Sequence, residues 1–561
     1  MSTFTEHCSN IVNDYVQTAL IIDDQAFFDS SVQVTTTEMI TPRAASPHLK
    51  APIKSSNIVT TTDDTLHSFD AKKVTDAFYE KGIIAGLYKP VISNNLPEDE
   101  FADTVEKIAS RADVIIVDWM LKDKISKYSK ALIKRIIEKD VSNGGRLRSI
   151  VVYTGEPVLS DLRDELLAYL NESEIINKSP LSTNNDFGIT SNNLSISFYN
   201  KMDVGLEIRQ QPEDSLPDIA LKEFSALVDG IIPAFAMKSA ATIRENTGRI
   251  ITKFDKTLDP GFLTHRALLP NPADAEVFML ENFVSYLRNI LSITKADSQT
   301  LDLETLNKWL EENHENLSNK RTSGEGRNTI ELEYSKTELL EILKHGTNKD
   351  KAGLYAELEK MTSTKKAISA MNSFEHINKL MPIFAPSSAE IITSSESLSV
   401  LSIFRRTIHD INFETEAPYL TQGSLLYDLD SEAYLLCVTP KCDTARVPNG
   451  LNFSFSKMVI KELGKSFDLI APSMTQDNKM VYLSSISKFY DLRHITFKTP
   501  GENRILPTKE NGNIIFTSSE GLQYKWVGDL GDIEIQKRVS NLVGNLNRVG
   551  SDEVEWMRRQ G

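Results

Sequence analysis

At 561 residues the chain is too long for one hydrophobic core, and typical domain sizes suggest roughly three domains. Its 78 acidic residues outnumber 62 lysines and arginines, and a formal net charge of −16 argues against a broad nucleic-acid footprint while leaving room for a local basic face. The cysteines, Cys8, Cys437 and Cys442, are too few for a disulfide scaffold or a four-ligand zinc site. MSTFTEHCSN lacks a basic region followed by an apolar stretch, and LVDGIIPAFAM is too short to span a bilayer, so a cytoplasmic protein without membrane contact is expected.

VQTALIIDD predicts a buried strand: continuous apolar character, then the acids Asp23 and Asp24. A Ser/Thr/Pro-rich stretch, Ser30 to Thr62, follows on the same sheet edge as those acids. Its composition suits a disordered surface loop; its position suits a flap beside the site that restricts donors or slows hydrolysis. Helical spacing resumes in DAKKVTDAFYEKG, then come a strand (IIAGLY), an acidic helix (EDEFADTVEKIASRA) and the strand DVIIVD, which ends on Asp118. SKYSKALIKRIIEKD is a helix stopped at Asn143-Gly144-Gly145, RSIVVYT a strand ending on Thr154, and DLRDELLAYL a helix. After a polar excursion through Asn184, LSISFY is a strand reaching Lys201. Alternating strands and helices predict a parallel sheet with right-handed crossovers, covered on both faces.

Asp23, Asp24, Asp118, Thr154 and Lys201 each stand where an apolar strand stops, which places them at the carboxyl ends of an open parallel sheet. Three carboxylates, a hydroxyl and an ammonium there describe a Mg²⁺-dependent phosphoryl-accepting site. Over residues 15 to 212 this order resembles the receiver domain of two-component response regulators, a flavodoxin-like doubly wound sheet. The resemblance implies that Asp23, Asp24, Asp118 and the backbone carbonyl of Met120 hold Mg²⁺, and that Asp118 accepts the phosphoryl group. It also implies that Lys201 neutralises the phosphoryl oxygens, that Thr154 moves to bond one of them, and that Phe198 is the aromatic switch residue. A phosphatase of the aspartate-nucleophile class would need an acid where Met120 stands, and is rejected. Met202 and Lys122 occupy positions where the family usually has prolines, which leaves the chemistry intact and the shape of the loops open.

Beyond Lys201, residues 213–410 read as a helical connector or bundle. The run beginning LPDIALKEF would contain the last receiver helix, extended or broken near Pro233; LSNKRTSGEGRNT is expected to be a loop and KAGLYAELEKM a helix. GSLLYD, AYLLCVTP, LNFSFSKMVI, KMVYLSSIS, HITFKT, NIIFTSS and LQYKWVGD predict a small β-rich barrel or sandwich over 411–530. Residues 531–561 close as helix, with Ser551 capping a final turn. Cys437 suits a core, whereas Cys442 beside Asp443 could serve as a nucleophile, although His409 and His494 are distant in sequence. No helix-turn-helix stands out, and Arg405-Arg406 and Arg558-Arg559 suit solvated faces or ion pairs.

These features resemble an atypical receiver fused to other modules in bacterial defence-type gene clusters. The expectation is a phosphoacceptor switch rather than a turnover enzyme, with a histidine kinase or GHKL-type ATPase as donor and proteins of the same cluster as partners in antiphage defence. The alternatives are a phosphorylation-independent scaffold and a receiver-gated enzyme centred on Cys442 and Asp443.

Overall fold

The computed structural model describes residues 3–27, 69–346 and 381–546, apart from 94, 123–124, 179, 184, 273, 318–319, 324–329, 382, 386–387, 410–412, 414–416, 446, 448, 463–466, 477–478, 486–490 and 500–503. The Ser30–Thr62 insertion, the KAGLYAELEKM segment, Arg558-Arg559 and the Ser551 cap lie outside the described residues. The chain divides into two compact units, Met1–Asn313 and His314–Gly561.

The first unit opens with α1 (Phe4–Tyr15), which the sequence reading did not anticipate. Thr3 and Glu6 form a reciprocal capping box at its start, and Phe4, Cys8, Ile11 and Val12 make one buried face. Then follow β1 (Thr18–Ile22), β2 (Ala26–Phe27), β3 (Phe69–Asp70), α2 (Ala71–Glu80), β4 (Ile84–Tyr88), α3 (Glu98–Ala109), β5 (Val114–Val117) and α4 (Lys127–Ser142). Next come β6 (Arg148–Thr154), α5 (Leu159–Leu170), β7 (Ser182–Thr183), β8 (Gly188–Thr190) and β9 (Leu194–Asn200).

Among the described residues seven strands form the main sheet, in the order β4-β1-β5-β6-β9-β8-β7. The first five are parallel, and β5, β6 and β9 are buried along their whole length, which is why they read as continuous apolar runs. β8 and β7 extend the sheet in antiparallel fashion, so the polar excursion expected before β9 is an edge hairpin. Alternation along each strand divides the core. Ala19, Ile21, Val114, Ile116, Val151, Tyr153 and Tyr199 share one cluster with α1 and α2, and Leu20, Ile22, Ile115, Val117, Ile150, Val152 and Phe198 share the other with α3, α4 and α5. Each fully buried side chain of this size contributes about 1.5–3 kcal/mol.

After β9 the helix α6 (Leu216–Ser225) is separated from α7 (Ile231–Glu245) by a 3₁₀ turn and Gly230. Of the two expectations, extended or broken, the break is observed; Pro233 sits in the first turn of α7, where its missing N–H costs nothing. α6 and α7 add Phe224, Ala234 and Met237 to the cluster that holds α1. α8 (Thr247–Lys253), α9 (Asp259–Leu268), α10 (Asp274–Ile293) and α11 (Leu303–Asn313) complete the unit. At the amino-terminal edge of the sheet Asp113, 3% exposed, accepts from the N–H groups of Gln17 and Thr18 and from both guanidinium nitrogens of Arg244, which ties α7 to the base of β5.

The second unit starts with β10 (Lys320–Ser323) and β11 (Ile330–Glu333), an antiparallel pair where a plain loop was expected. α12 (Lys336–His345) and α13 (Ser388–Ile403) precede an antiparallel sheet of ten strands among the described residues. These are β12 (Phe404–Thr407), β13 (Ser424–Asp428), β14 (Ala433–Cys437), β15 (Leu451–Lys461), β16 (Leu469–Pro472), β17 (Met480–Ser485), β18 (Arg493–Phe497), β19 (Thr508–Glu510), β20 (Asn513–Thr517) and β21 (Gln523–Leu530). The module is one open sheet from β16 to β19 rather than a closed barrel or two separate sheets. Its length is possible because β15 pairs with β18 through its first half and β17 through its second. Phe453, Phe455, Phe497 and Trp526 pack one face, while Tyr434, Met458, Leu483 and Ile535 of α15 (Asp532–Leu546) pack the other. Asp529 is buried and accepts from Ser424, Trp526 and Arg406, and Arg405 also pairs with it, so the Arg405-Arg406 pair serves as ion-pair partners.

Candidate functional site

β1 lies between β4 and β5, so the winding reverses direction across β1, and the crevice beyond the carboxyl ends of β1 and β5 is where ligands lodge in such sheets. Ile22 pairs with Val117, and the Asp118 N–H donates to the Ile22 carbonyl at 2.9 Å. Register alone therefore sets Asp23 and Asp118 side by side. One carboxylate oxygen from each of Asp23, Asp24 and Asp118 lies within 4.8 Å of the others. Asp23 Oδ1 accepts the Gln25 N–H at 2.8 Å, which fixes the turn, while Asp24 Oδ1 is buried with no hydrogen-bond partner.

Lys201 follows β9 and is carried across β6 by its long side chain. Its N–H donates to the Thr154 carbonyl at 2.8 Å, and its Nζ reaches Asp23 Oδ2 at 3.0 Å and Asp118 Oδ2 at 3.5 Å. Burial raises the Asp118 carboxyl to about 7, with Lys201 pulling it down and Asp23 and Asp24 pushing it further up. Burial, then Asp23, also raises Asp24. Burial works against the Lys201 charge, but Asp118 and Asp23 outweigh it and hold the ammonium above its ordinary range. Two carboxylates at this separation repel by about 3 kcal/mol at an effective dielectric near 20. Lys201, with a smaller pull from Lys89 on Asp24, leaves the three acids undercompensated. The orphaned Asp24 oxygen and the all-oxygen donor set fit a small divalent cation.

Thr154 is fully buried, and its Oγ1 accepts the Glu156 N–H at 3.1 Å. Phe198 is also fully buried, edge-on to Trp119 with ring centroids 6.2 Å apart. The Trp119 carbonyl accepts the Ser129 hydroxyl at 2.6 Å, anchoring the loop after Asp118, in which Met120 is half-buried. Asn200 Nδ2 donates to the Glu156 carbonyl at 2.7 Å, linking the Thr154 loop to the end of β9. Gly205 then passes with φ +68, and a Cβ there would come within 2.5 Å of Asn200 Oδ1. Thus Asp23, Asp24, Asp118 and Lys201 converge, Thr154 adjoins Lys201 through the backbone, and Phe198 points into the core.

Sequence reasoning missed the aromatic wall around Lys201. Phe69, 1% exposed, meets Tyr153 edge-on at 6.1 Å, and the Lys201 Nζ lies 5.8 Å from the Phe69 ring and 5.9 Å from that of Tyr153. β3 pairs with β2, the Ala26 carbonyl accepts from Lys89, and the Asp70 N–H donates to Glu213, so Phe69 is held at the site from both sides. No motif announces this residue; a Phe-Asp pair opening a helix is commonplace. Phe69→Leu keeps apolar volume but loses the ring contacts, and is expected to lower stability by about 1 kcal/mol. The urea midpoint at unchanged slope measures this, and an unshifted midpoint would show that the rings contribute nothing.

In the second unit Cys437 is fully buried, its thiol pushed up to about 12 by burial, as a core residue should be. Cys442 is exposed on α14 (Lys441–Thr444), 3.6 Å from Asp443 Oδ1. His494 Nδ1 instead meets the Ser454 hydroxyl at 3.1 Å.

The sheet, its winding and the acidic crevice define a receiver-type α/β domain. Residues 15–205 match the family model of the response receiver domain, which suggests a response-regulator-like signalling role. No curated protein and no solved structure matches the chain. Among the described residues no helix is long and apolar enough to cross a membrane.

Proposed function

We propose that the first unit is a phosphoryl-accepting switch in which Asp118 is the acceptor. The observation that carries this reading is the convergence of Asp118 with Asp23, Asp24 and the Lys201 ammonium at adjoining strand ends. Asp23, Asp24, Asp118 and the Met120 carbonyl would hold Mg²⁺, which when bound supplies positive charge to the phosphoryl oxygens. An Asp118 carboxylate oxygen attacks phosphorus, the new O–P bond forms as the donor's bond to phosphorus breaks, and the donor leaves with that electron pair. Lys201 offsets charge on the equatorial oxygens; a donor of this kind is worth roughly 10²–10³ in rate. Thr154, whose Oγ1 accepts the Glu156 N–H, would turn its hydroxyl to donate to the phosphoryl group, and Phe198 would follow into the space beside it.

The product is a covalent state of the protein rather than a released molecule, so the unit acts as a switch whose output goes to other proteins. In this reading the donor is a histidine kinase or GHKL-type ATPase, within a bacterial antiphage cluster. Incubation of the full chain with Mg²⁺ and acetyl phosphate is expected to add one phosphoryl group by intact mass, and EDTA is expected to prevent it. An unmodified mass with acetyl phosphate and with a phosphorylated kinase alike would sink the reading and favour the phosphorylation-independent scaffold.

A further inference from the structure

α10 buries one face and leaves a second apolar row exposed over its first half and half-buried over its second. On the packed side Ala275 and Ile290 are buried, and Phe283 and Tyr286 lie 5.4 and 6.3 Å from the Phe254 ring. About 120° around the helix, at 100° per residue, runs Val277, Leu280, Val284, Leu287 and Leu291. Val277, Leu280 and Val284 are 50%, 61% and 44% exposed, and Leu287 and Leu291 are half-buried. Steps of three and four in strict alternation make a heptad seam, the pattern that one helix presents to another. A lone exposed Leu needs no explanation; a seam of them does.

The flanks of the seam identify the partner. Glu281 and Arg288 follow Leu280 and Leu287, are both exposed, and stand one heptad apart. When two copies of the helix pair antiparallel across a two-fold axis, Glu281 of each faces Arg288 of the other, which makes two complementary contacts from one sequence. A parallel pair would instead set Glu276 against Glu281, like charge against like.

We propose that α10 is a self-association surface, along which two copies of this chain join antiparallel through Val277, Leu280, Val284, Leu287 and Leu291. The contact needs no phosphoryl group, so it stands or falls apart from the switch. Sedimentation velocity of the unmodified full chain at micromolar concentration is expected to show a dimer. Leu280→Asp is expected to give a monomer, and Glu281→Arg to weaken association about tenfold or more. Adding Arg288→Glu to Glu281→Arg is expected to restore it, because the swapped pair is again complementary. All these positions are exposed, and unchanged thermal melts confirm that each variant folds. A monomeric wild type, a dimer indifferent to Leu280→Asp, or a charge swap that fails to restore association would each overturn the proposal.

Discussion

Asp118→Asn is expected to take up no phosphoryl group and, without divalent metal, to be more stable than the wild type. The first half follows from chemistry: an amide is no nucleophile toward phosphorus at neutral pH. The second follows from linkage. Burial lifts the folded-state carboxyl from an ordinary 3.8 to about 7. The native state therefore binds the proton more tightly than the unfolded chain, and stability is lost as pH rises from about 4 through 7. Above pH 7 the loss is on the order of 2–4 kcal/mol, and asparagine, which does not titrate, avoids it. Urea denaturation in EDTA at pH 4 and pH 8 should show the two proteins close together at the lower pH and apart at the higher. Equal stabilities at pH 8 would remove the electrostatic account of the site. Added Mg²⁺ should narrow the gap, since a ligand that binds only the native wild type stabilises it by mass action.

Asp140→Ala is expected to cost the first unit about 3–5 kcal/mol, because it strands a buried guanidinium. Arg148, 1% exposed, gives Nε and one terminal nitrogen to the two Asp140 oxygens at 2.8 Å each. Its other terminal nitrogen donates to the Ala109 and Ala112 carbonyls, so one side chain joins the end of α3, the last turns of α4 and the start of β6. Hydrogen exchange of the β5 and β6 amides under mild urea measures the loss. Asp140→Leu combined with Arg148→Met should be far milder than Asp140→Ala, since no charge is left behind. If the single substitution is as mild as the double, the pair is incidental.

The clustering of the acids was legible because each ends an uninterrupted apolar run, such as ALII before Asp23-Asp24 and VIIV before Asp118. Parallel register then does the assembling, and register in a sheet buried on both faces leaves little choice. The Phe69–Tyr153–Lys201 contacts were not legible, because they join residues far apart in the chain whose identities carry no pattern. The β7–β8 hairpin was hidden for another reason: two- and three-residue strands in a polar stretch are too short to show alternation. α1 was overlooked although TFTEHCSNIVNDY carries both a capping box and a 4-8-11-12 apolar face. In the carboxyl-terminal module the strands announced themselves, yet nothing in their spacing showed that β15 would be shared between two partners.

The packing of α1 against α6 and α7 has a bearing on where this protein can be cut. A fragment ending at residue 212 would keep every residue of the proposed phosphoryl site but remove Phe224, Ala234 and Met237, which share one buried cluster with Phe4, Cys8 and Val12. It would also remove Arg244 from Asp113, leaving that buried carboxylate with the longer Arg146 contact at 3.5 Å as its ion pair. The folding unit therefore extends beyond the stretch that carries the proposed site and includes α7. The proposed phosphoacceptor site and independent stability have different boundaries in this chain, and a fragment chosen by the first criterion alone would lose the second.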